Sequence, residues 1–433
     1  MLVLDTSTPR FWEKLADFCA SAKPDAAFVE NVAAILSDVE QRGDAAVFDY
    51  TKKFDGVNVA PNCLRVPAKE ISAAARQITV REKNAFAEAI RCVRAFHQKT
   101  LPKSWRARNP HDALVGENYY PLRRVGINIP GGQVPLVSTV IMTTVLAQMA
   151  GVREIAVCTP PDKSGGTHPG LLAALALCGV EEVYRMGGIQ AMGAFAFGTK
   201  TVPAVDKLFG PGNAYTTEAK RQLFGTVGVD LLPGPSEIMV LCDASANPHW
   251  AALDLLAQAE HGTGKERLYL VSTSRECLAE ILAEVELNAA KFSQGNRLND
   301  VLEKGFIAIH AANLEEAAAV ANYVAPEHLE LQVKKSALIK LTKEITTAGA
   351  ILLGGHTPTV LGDFTAGPSH TLPTGRTGRF FSGLRVTDFV RRSSIVQYDA
   401  KSLSKAAGVV AAFSALESLP AHGESLKARL KKS

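Results

Sequence analysis

The sequence has 433 residues, more than one compact hydrophobic core usually holds, so we expect two or more domains. Its formal net charge of +4 comes from interspersed basic and acidic residues, which argues against nucleic acid or an anionic membrane as an obligatory partner. Seven cysteines are scattered without a C-x-x-C pair, which argues against a disulfide framework and a thiolate metal site and predicts a reducing compartment.

The beginning of the chain and its apolar runs predict a soluble, cytoplasmic protein. The stretch "MLVLDTSTPRFWEKLADFC" lacks the basic and then apolar order of a secretory leader. The longest apolar runs, such as "LLAALALCGV", reach about half of the ~20 residues that span a bilayer. We therefore expect no association with a membrane.

The first part of the chain is predicted to be helical. Residues 25–100 are rich in Ala, Glu, Lys and Arg at helical spacing. From residue 124 onwards, short apolar runs closed by Gly or Pro alternate with helical stretches; the runs include "RVGINIP", "REIAVCTPP", "VEEVYRM", "DKLFG" and "VDLLPG". Repeated strand–helix–strand units predict a parallel sheet with helices on both faces.

Further strand–helix cycles follow toward the C-terminus. Their strand candidates are "EIMVLCD", "RLYLVST", "GFIAIHA" and "AILLGG". The pattern predicts an α/β protein with two doubly wound, incomplete Rossmann-like parallel sheets, at about 125–236 and 237–383. After "HTLPTG" the alternation stops, and residues 384–433 are predicted to form a helical tail. Its apolar face needs a surface to pack on, in this chain or in a partner.

Three glycine-containing loops follow predicted strands and open predicted helices: "IPGGQVP", "MGGIQAMG" and "FGPGNAYTTEAK". In open parallel sheets ligands bind at the carboxyl ends of the strands, where the N–H groups of such loops can approach a phosphate or carboxylate. None of the loops matches a dinucleotide fingerprint or a Walker A sequence, so each is also compatible with a tight turn. Gln190 and Asn213 enter the helices and are candidates for contacts with a ribose, an amide or a phosphate.

The stretch "LDLLAQAEHGTG" predicts the end of an amphipathic helix that begins with an Asn247 cap and Pro248. Gln258 and His261 are three residues apart, so both project from one side of the helix end. Two interpretations stay open for this pair. The histidine is favoured by the negative end of the helix dipole, or the two residues form half of a metal site, in which Gln would be an uncommon ligand.

Adjacent acidic and imidazole groups occur in "APEHLE". Glu327 and His328 can point two different proton-transfer groups at one cleft, or they can form an exposed helix start. The Gly/Pro-rich segment "LGDFTAGPSHTLPTG" places Asp363 and His370 on a long ordered loop, and loops of that kind are commonly functional.

Three more polar residues are candidates for ligand contacts. Glu417 and His422 lie in "ESLPAH" near the end of the predicted tail, where a histidine is by default a solvated surface residue. Ser236 lies in "PGPSE", which lacks the G-x-S-x-G elbow of a nucleophilic serine.

Eight unusual strings occur in order along the chain: "IPGGQVPLVSTVIM", "GGIQAMGAFAFGT", "KLFGPGNAYTTEAKRQ", "PGPSE", "LLAQAEHG", "PEHLE", "GDFTAGPSHTLPTG" and "LPAH". Together they resemble the histidinol dehydrogenase family across essentially the whole chain. The resemblance implies oxidation of L-histidinol to L-histidine by two successive hydride transfers to NAD. It also implies one zinc ion per site and a homodimer whose subunits exchange tails.

The resemblance also implies a role for each candidate residue. Zinc ligands would be Gln258, His261 and Asp363 of one chain and His422 of the partner subunit. Glu327 and His328 would be the catalytic pair. Dinucleotide contacts would be Asn128, Gln190 and Asn213, although position 128 is Tyr in many members and Asn removes that aromatic surface. Substrate contacts would be Ser236, His370, Glu417 and His328, together with the zinc ligands.

The resemblance further implies a domain division. Residues 1–24 would be an N-terminal helical arm, and 25–127 together with 237–383 would form a first Rossmann-like domain that carries the zinc and catalytic residues. Residues 128–236 would form the NAD-binding Rossmann-like domain. Residues 384–433 would form the helical tail exchanged in the dimer.

Three other functions are compatible with parts of the sequence. The same zinc and proton-transfer residues would serve a dehydrogenase of another small polar alcohol, such as a sulfonated diol. A non-catalytic ligand-binding protein could keep the fold, although it need not keep metal ligands and proton-transfer residues together. Nucleic-acid binding through the five arginines of residues 376–392 would give a steeply salt-dependent affinity, and we expect none.

Overall fold

The protein is built on two parallel β-sheets and one small antiparallel sheet. A computed structural model describes residues 1–20, 25–131, 135–261, 263–292 and 297–430. The strands are β1 (Leu2–Asp5), β2 (Trp105–Arg108), β3 (Leu114–Pro121), β4 (Arg124–Asn128), β5 (Glu154–Thr159), β6 (Glu182–Arg185), β7 (Lys207–Phe209), β8 (Gly228–Val229), β9 (Glu237–Cys242), β10 (Arg267–Ser272), β11 (Phe306–His310), β12 (His328–Gln332), β13 (Ala350–Leu353) and β14 (Val390–Gln397).

Helices cover both faces of the parallel sheets. They are α1 (Phe11–Cys19), α2 (Ala26–Arg42), α3 (Asp44–Asp55), α4 (Ala68–Gln77), α5 (Val80–His97), α6 (Val137–Ala150), α7 (Pro169–Leu177), α8 (Gly188–Phe197), α9 (Ala214–Leu223), α10 (Pro248–Ala259), α11 (Arg275–Phe292), α12 (Leu298–Lys304), α13 (Leu314–Val324), α14 (Lys335–Glu344), α15 (Thr359–Phe364), α16 (Ala400–Leu416) and α17 (Pro420–Leu430). Within the described ranges, each helix is too short or too polar to cross a lipid bilayer.

The five-stranded parallel sheet has the order β6-β5-β4-β7-β8. Alternate strand residues face opposite sides, so Val157 packs in one hydrophobic cluster and Ala156 and Cys158 in the other. The first cluster joins the sheet to α4, α5, α6 and α7, and the second joins it to α2, α3, α8 and α9.

The six-stranded parallel sheet has the order β1-β11-β10-β9-β12-β13. Met239 and Leu241 of β9 pack toward α1, α13 and α14, whereas Ile238 and Val240 pack toward α10, α11 and α12. Both parallel sheets are therefore buried on their two faces, and the predicted α/β class with two doubly wound sheets is confirmed.

Two segments at the ends of the predicted domains differ from expectation. Residues 2–5 of the predicted helical arm form β1, which pairs in parallel with β11 at the edge of the six-stranded sheet. Residues 390–397 of the predicted helical tail form β14, which pairs antiparallel with β3. β1 has only four residues, and β14 is a largely exposed edge strand, so neither has a clear hydrophobic pattern. Pairing with β11 and β3 therefore decides their conformation.

The helices of residues 26–97 pack on the five-stranded sheet. Val32 and Val39 of α2, and Val93 of α5, belong to the two clusters of that sheet. This packing differs from the expected grouping of residues 25–127 with 237–383. The apolar stripe of an amphipathic helix shows that the helix packs on a core, but it does not identify the sheet on which the helix packs.

Replacing His97 with Leu is expected to reduce the acid sensitivity of folding. His97 is 1% exposed at the end of α5, and neither ring nitrogen has a hydrogen-bond partner among the described residues. Burial lowers its pKa from 6.5 to about 4. Below pH 6.5 the unfolded chain therefore binds a proton that the folded protein does not, and the free energy of unfolding falls as the pH decreases.

His97 is expected to account for about 1.6 kcal/mol of the loss in wild type between pH 6.5 and pH 5, because the unfolded imidazole is half protonated at the higher pH and almost fully protonated at the lower. Urea titrations at the two pH values should give a smaller difference for His97→Leu. The exposed His356, changed to Leu, is the control and should keep the wild-type difference. Equal pH sensitivity in wild type and His97→Leu would contradict the prediction.

Candidate functional site

The predicted proton-transfer and metal-binding residues gather at the amino edge of the six-stranded sheet. The register of β12 with β9 pairs His328 with Ile238, so Glu327 and Ser236 lie just before two neighbouring strands. α10 leads back from the carboxyl end of β9 to the start of β10, which brings Gln258 in its last turn to the same edge. The glycine-loop pattern predicts ligands at the carboxyl edge, whereas the candidate residues of this sheet lie at its amino edge. His328 is the first residue of β12, and Glu327 directly precedes it.

Glu327 and His328 are both buried at this edge. The His328 Nε2 atom lies 3.9 Å from Glu327 Oε1 and 3.9 Å from Asp363 Oδ1. The Glu327 Oε2 atom accepts a hydrogen bond of 2.9 Å from the backbone N–H of Glu237. Burial, together with two neighbouring histidines, lowers the pKa of His328 to about 3, and burial raises the pKa of Glu327 well above its usual value. The imidazole is thus a neutral acceptor at pH 7, and Glu327 is a strong base whenever it is ionised.

Gln258 and His261 lie at the end of α10, which starts at Pro248 behind an Asn247 cap as predicted. Gln258 is buried and His261 is exposed. The His261 Nδ1 atom lies 3.1 Å from the Gln258 carbonyl oxygen and 3.4 Å from the Gln258 side-chain nitrogen. The shorter contact is a hydrogen bond donated by Nδ1, because a carbonyl oxygen can only accept. Nδ1 then carries the proton, and Nε2 keeps its lone pair for a ligand.

Asp363 and His370 are brought to the same place by α15 and the segment after it. Asp363 lies in the last turn of α15, and burial raises the pKa of its carboxyl group to about 6, partly offset by His261. The His370 ring bonds the Asp363 backbone, and its Nε2 atom lies 3.1 Å from Thr139 Oγ1 on α6. Burial lowers the pKa of His370 to about 4. His370 therefore joins the catalytic edge of one sheet to a helix of the other.

A cavity of about 270 Å³ opens beside His328 and His370. Its remaining walls are largely apolar and come from β13, α15 and residues 366–372. The cavity can hold a small molecule against the two imidazole rings.

Two predicted nucleotide contacts lie on helices at the carboxyl edge of the five-stranded sheet. Gln190 on α8 is 1% exposed, and its Oε1 atom has no hydrogen-bond partner among the described residues. Asn213 caps α9 by accepting hydrogen bonds from the N–H groups of Tyr215 and Thr216, so its amide nitrogen is the group that remains for a ligand. Residues 132–134 of the first glycine loop lie outside the described residues.

Asn128 is a supporting residue in this structure. Its Nδ2 atom donates a hydrogen bond of 2.6 Å to the Pro211 carbonyl, and its Oδ1 atom accepts one from the buried Cys158 thiol. Gly210, with a φ of +100°, lies so close to the Asn128 carbonyl that a Cβ there would collide with it. The Asn128 side chain therefore holds the third glycine loop in place.

The structure leaves Glu417 and His422 apart from the other site residues. Both are exposed, around the turn between α16 and α17, and these two helices pack chiefly against each other. Ser236, by contrast, is half-buried next to Glu237, at the edge that carries Glu327. Within the described residues, no group of three or more His, Cys, Asp or Glu side chains is arranged to hold a metal ion.

Comparison with known proteins decides the family. Residues 20–430 match the family model for histidinol dehydrogenase. The chain is 41% identical over 433 residues to the histidinol dehydrogenase of Geobacter sulfurreducens, with 100% of each chain covered. It is 40% identical over 399 residues to that of Synechococcus sp., with 92% of this chain and 91% of the relative covered. A crystal structure of histidinol dehydrogenase from Elizabethkingia anophelis superposes with a TM-score of 0.94 at 32% identity, covering 100% of this chain and 98% of that chain.

The chain belongs to the histidinol dehydrogenase family. It is therefore an enzyme of the oxidoreductase class, which confirms the resemblance found in the sequence. The interpretation as a non-catalytic binding protein is excluded by the same finding.

Three buried or half-buried acidic residues beside the site of this family member escaped the sequence analysis. Glu237 directly follows Ser236, and burial raises its pKa to about 7. Asp254 lies one helical turn before Gln258, and Glu330 lies two residues after His328 on the same face of β12. The sequence contains the i, i+4 spacing of Asp254 and Gln258 and the two-residue spacing of His328 and Glu330. These spacings predict a common location only once "HLELQ" is known to be a strand.

The arginines of residues 376–392 serve the fold. The Arg376 guanidinium stacks 4.0 Å from the Tyr323 ring centroid, and its Nε atom donates to the Tyr323 carbonyl. Arg385 caps a short turn with Asp388, and Arg392 pairs with Glu117 across β14 and β3. Arg376 and Arg392 thus contribute side-chain contacts to the fold.

Proposed function

We propose that this chain oxidises L-histidinol to L-histidine through histidinal, in the last steps of histidine biosynthesis, with one zinc ion per site and two NAD molecules that accept hydride in turn. One observation carries the proposal. The buried Glu327–His328 pair lies beside His261 and Asp363 in a chain that matches histidinol dehydrogenases from end to end.

The donor set fits a zinc ion. His261 donates its Nδ1 proton to a backbone carbonyl, as metal-binding histidines usually do, and this leaves Nε2 for the metal. The Asp363 carboxylate accepts no hydrogen bond within the described part of the chain, and the Gln258 amide oxygen would be a third donor. His422 of the partner subunit would supply the fourth. When bound, zinc would orient the imidazole and amine of the substrate.

His328 is the group suited to accept the alcohol proton in the first oxidation. Burial keeps its imidazole neutral at pH 7, so it has a lone pair available when the carbinol carbon gives up hydride. The product aldehyde would remain in the enclosed site, where it is protected from side reactions and keeps the geometry for the second oxidation.

Glu327 is the group suited to activate water for the second oxidation. Addition of water to the aldehyde gives a hydrate, and the raised pKa of Glu327 makes its carboxylate a strong base. The hydrogen bond from the Glu237 N–H holds one carboxylate oxygen in place and leaves Oε1 to face water. His328 would then accept a proton again during the second hydride transfer.

NAD would bind at the crevice between β4 and β7, where the order of the five-stranded sheet reverses. The unpaired Gln190 oxygen and the Asn213 amide nitrogen are polar groups for a dinucleotide near that edge. Thr139 at the start of α6 follows the first glycine loop and touches His370, which supports a nicotinamide position next to the catalytic imidazoles.

We expect purified protein to contain about one zinc ion per subunit and to form about two NADH per histidinol consumed. His261→Ala should lose both the metal and the activity. His249→Ala is the matched control, since His249 is exposed on the same helix and bonds Glu284. Metal analysis and NADH absorbance measure the two quantities.

Absence of zinc from active wild-type protein would contradict the metal assignment. Turnover of a sulfonated diol without turnover of histidinol would assign the alternative substrate. Running the same assay with NADP identifies the preferred dinucleotide.

A further inference from the structure

A pair of acidic side chains lies behind the site and is unused by the proposed chemistry. Asp254 is on α10, one turn before Gln258, and Glu330 is on β12, two residues after His328. Glu330 is 1% exposed and Asp254 is half-buried. Their carboxyl groups accept hydrogen bonds from the same donor, the side-chain amide of Gln332.

The neighbours of the pair bind the two carboxyl groups unequally. The Glu330 Oε1 atom accepts hydrogen bonds from the backbone N–H of Thr359, at 2.7 Å, and from its Oγ1, at 2.8 Å. The Gln332 Nε2 atom donates to Glu330 Oε2 at 2.8 Å and to Asp254 Oδ2 at 3.0 Å. Glu330 thus accepts three hydrogen bonds from these neighbours and Asp254 accepts one.

This asymmetry decides which carboxyl group carries the charge. Hydrogen bonds from donors stabilise a carboxylate, so the negative charge belongs on Glu330. Asp254 is partly removed from water and also close to that charge, and both effects raise its pKa, to about 8. A neutral Asp254 can donate its own proton to Glu330, which would then accept a fourth hydrogen bond.

The pair connects the three elements that carry the site. Glu330 bonds the first residue of α15, the six-residue helix that ends next to Asp363. Through Asp254 and Gln332 it also bonds α10, which carries Gln258 and His261. A change in this cluster would therefore displace the proposed metal ligands of α10 and α15, although no residue of the cluster is itself a ligand.

We propose that Asp254 and Glu330 share one proton, held on Asp254, and that the anionic Glu330 is a positioning residue that sets α10 and α15 at the spacing required for zinc. The proposal rests on the zinc site of the proposed function. It assigns no contact with substrate to either residue.

Two near-isosteric variants should behave differently. In Asp254→Asn the amide N–H replaces the donated proton, so zinc affinity should stay within about twofold of wild type. In Glu330→Gln an NH2 group faces donors, and zinc affinity should fall by about 10- to 100-fold, the usual loss when a group that orients a metal ligand is changed. Competition with a chromogenic chelator measures both values without turnover.

A spectroscopic measurement tests the location of the proton independently of zinc. The infrared spectrum of metal-free wild type minus metal-free Asp254→Asn at pH 7 should contain the C=O band of a protonated carboxyl group. Absence of that band, or an Asp254→Asn variant that binds zinc as weakly as Glu330→Gln, would overturn the proposal.

A third variant covers the case in which Glu330→Gln does not fold. Thr359→Val removes one of the donors to Glu330 and should weaken zinc binding several-fold, whereas wild-type affinity in Thr359→Val would contradict the positioning role. If wild type binds no zinc but the infrared band is present, the result contradicts the proposed zinc-dependent function and supports the proton shared by Asp254 and Glu330.

Discussion

Replacing His328 with Asn is expected to lower the rate of histidinol oxidation by about 10²–10⁴-fold, the contribution of a positioned general base. Asn keeps a polar side chain of similar reach but cannot accept a proton at neutral pH. Because His328 is buried and its pKa is lowered to about 3, its protonation should not limit the rate near pH 7. The measurement is steady-state NADH formation with histidinol, and a variant with nearly full activity would remove His328 from the mechanism.

Glu327→Gln separates the two oxidations. Water addition is needed only after the aldehyde has formed, so the variant should lose more activity with histidinal than with histidinol as substrate. The Gln side chain keeps an oxygen for the hydrogen bond from the Glu237 N–H, so the local fold should be retained. Equal losses with the two substrates would show that Glu327 does not act on water.

Mixing two inactive variants is expected to restore activity. If His422 acts in the partner's site, a dimer of one His261→Ala chain and one His422→Ala chain contains one intact site and one doubly altered site. Random exchange of subunits should then recover about one quarter of the wild-type rate. The assay is NADH formation after the two variants are mixed and subunits exchange.

The C-terminal tail has an exposed apolar face. α16 and α17 pack chiefly against each other, and they expose Val409, Phe413, Leu416 and Leu419. Such an apolar surface is usually covered by another protein surface. The matched control mixes His422→Ala with Glu417→Ala. Both changes lie in the tail, so no combination contains an intact site, and recovery there would contradict the assignment. No recovery in the first mixture would place His422 in its own subunit.

The local parts of the site could be predicted because they follow from spacing along the chain. Gln258 and His261 lie three residues apart near the end of a helix whose cap was visible in "NP" at 247–248. Glu327 and His328 are adjacent in the chain, so they must lie close together in any fold. Alternating strand and helix patterns likewise predict parallel sheets, because a parallel connection needs a crossover.

The edge of the sheet at which the site lies was decided by tertiary structure. The glycine loops point to the carboxyl edges of the sheets, where Gln190 and Asn213 lie, whereas Glu327 and His328 lie at an amino edge. His328 begins β12, and "HLELQ" is too short for its period of two to distinguish a strand from a loop. A buried Glu330 and Gln332 look like surface residues until their partners on α10 and α15 are known.

By itself, the sequence determined the α/β class, the two doubly wound sheets and the short-range pairs of candidate site residues, because these depend on periodicity and neighbours in the chain. Tertiary structure decided that β1 extends the six-stranded sheet, that residues 26–97 cover the five-stranded one, and that Asp363 meets His328. These arrangements depend on which apolar faces fit together over long separations. The apolar stripe of a helix indicates that this face is buried, but it does not indicate which element packs against it.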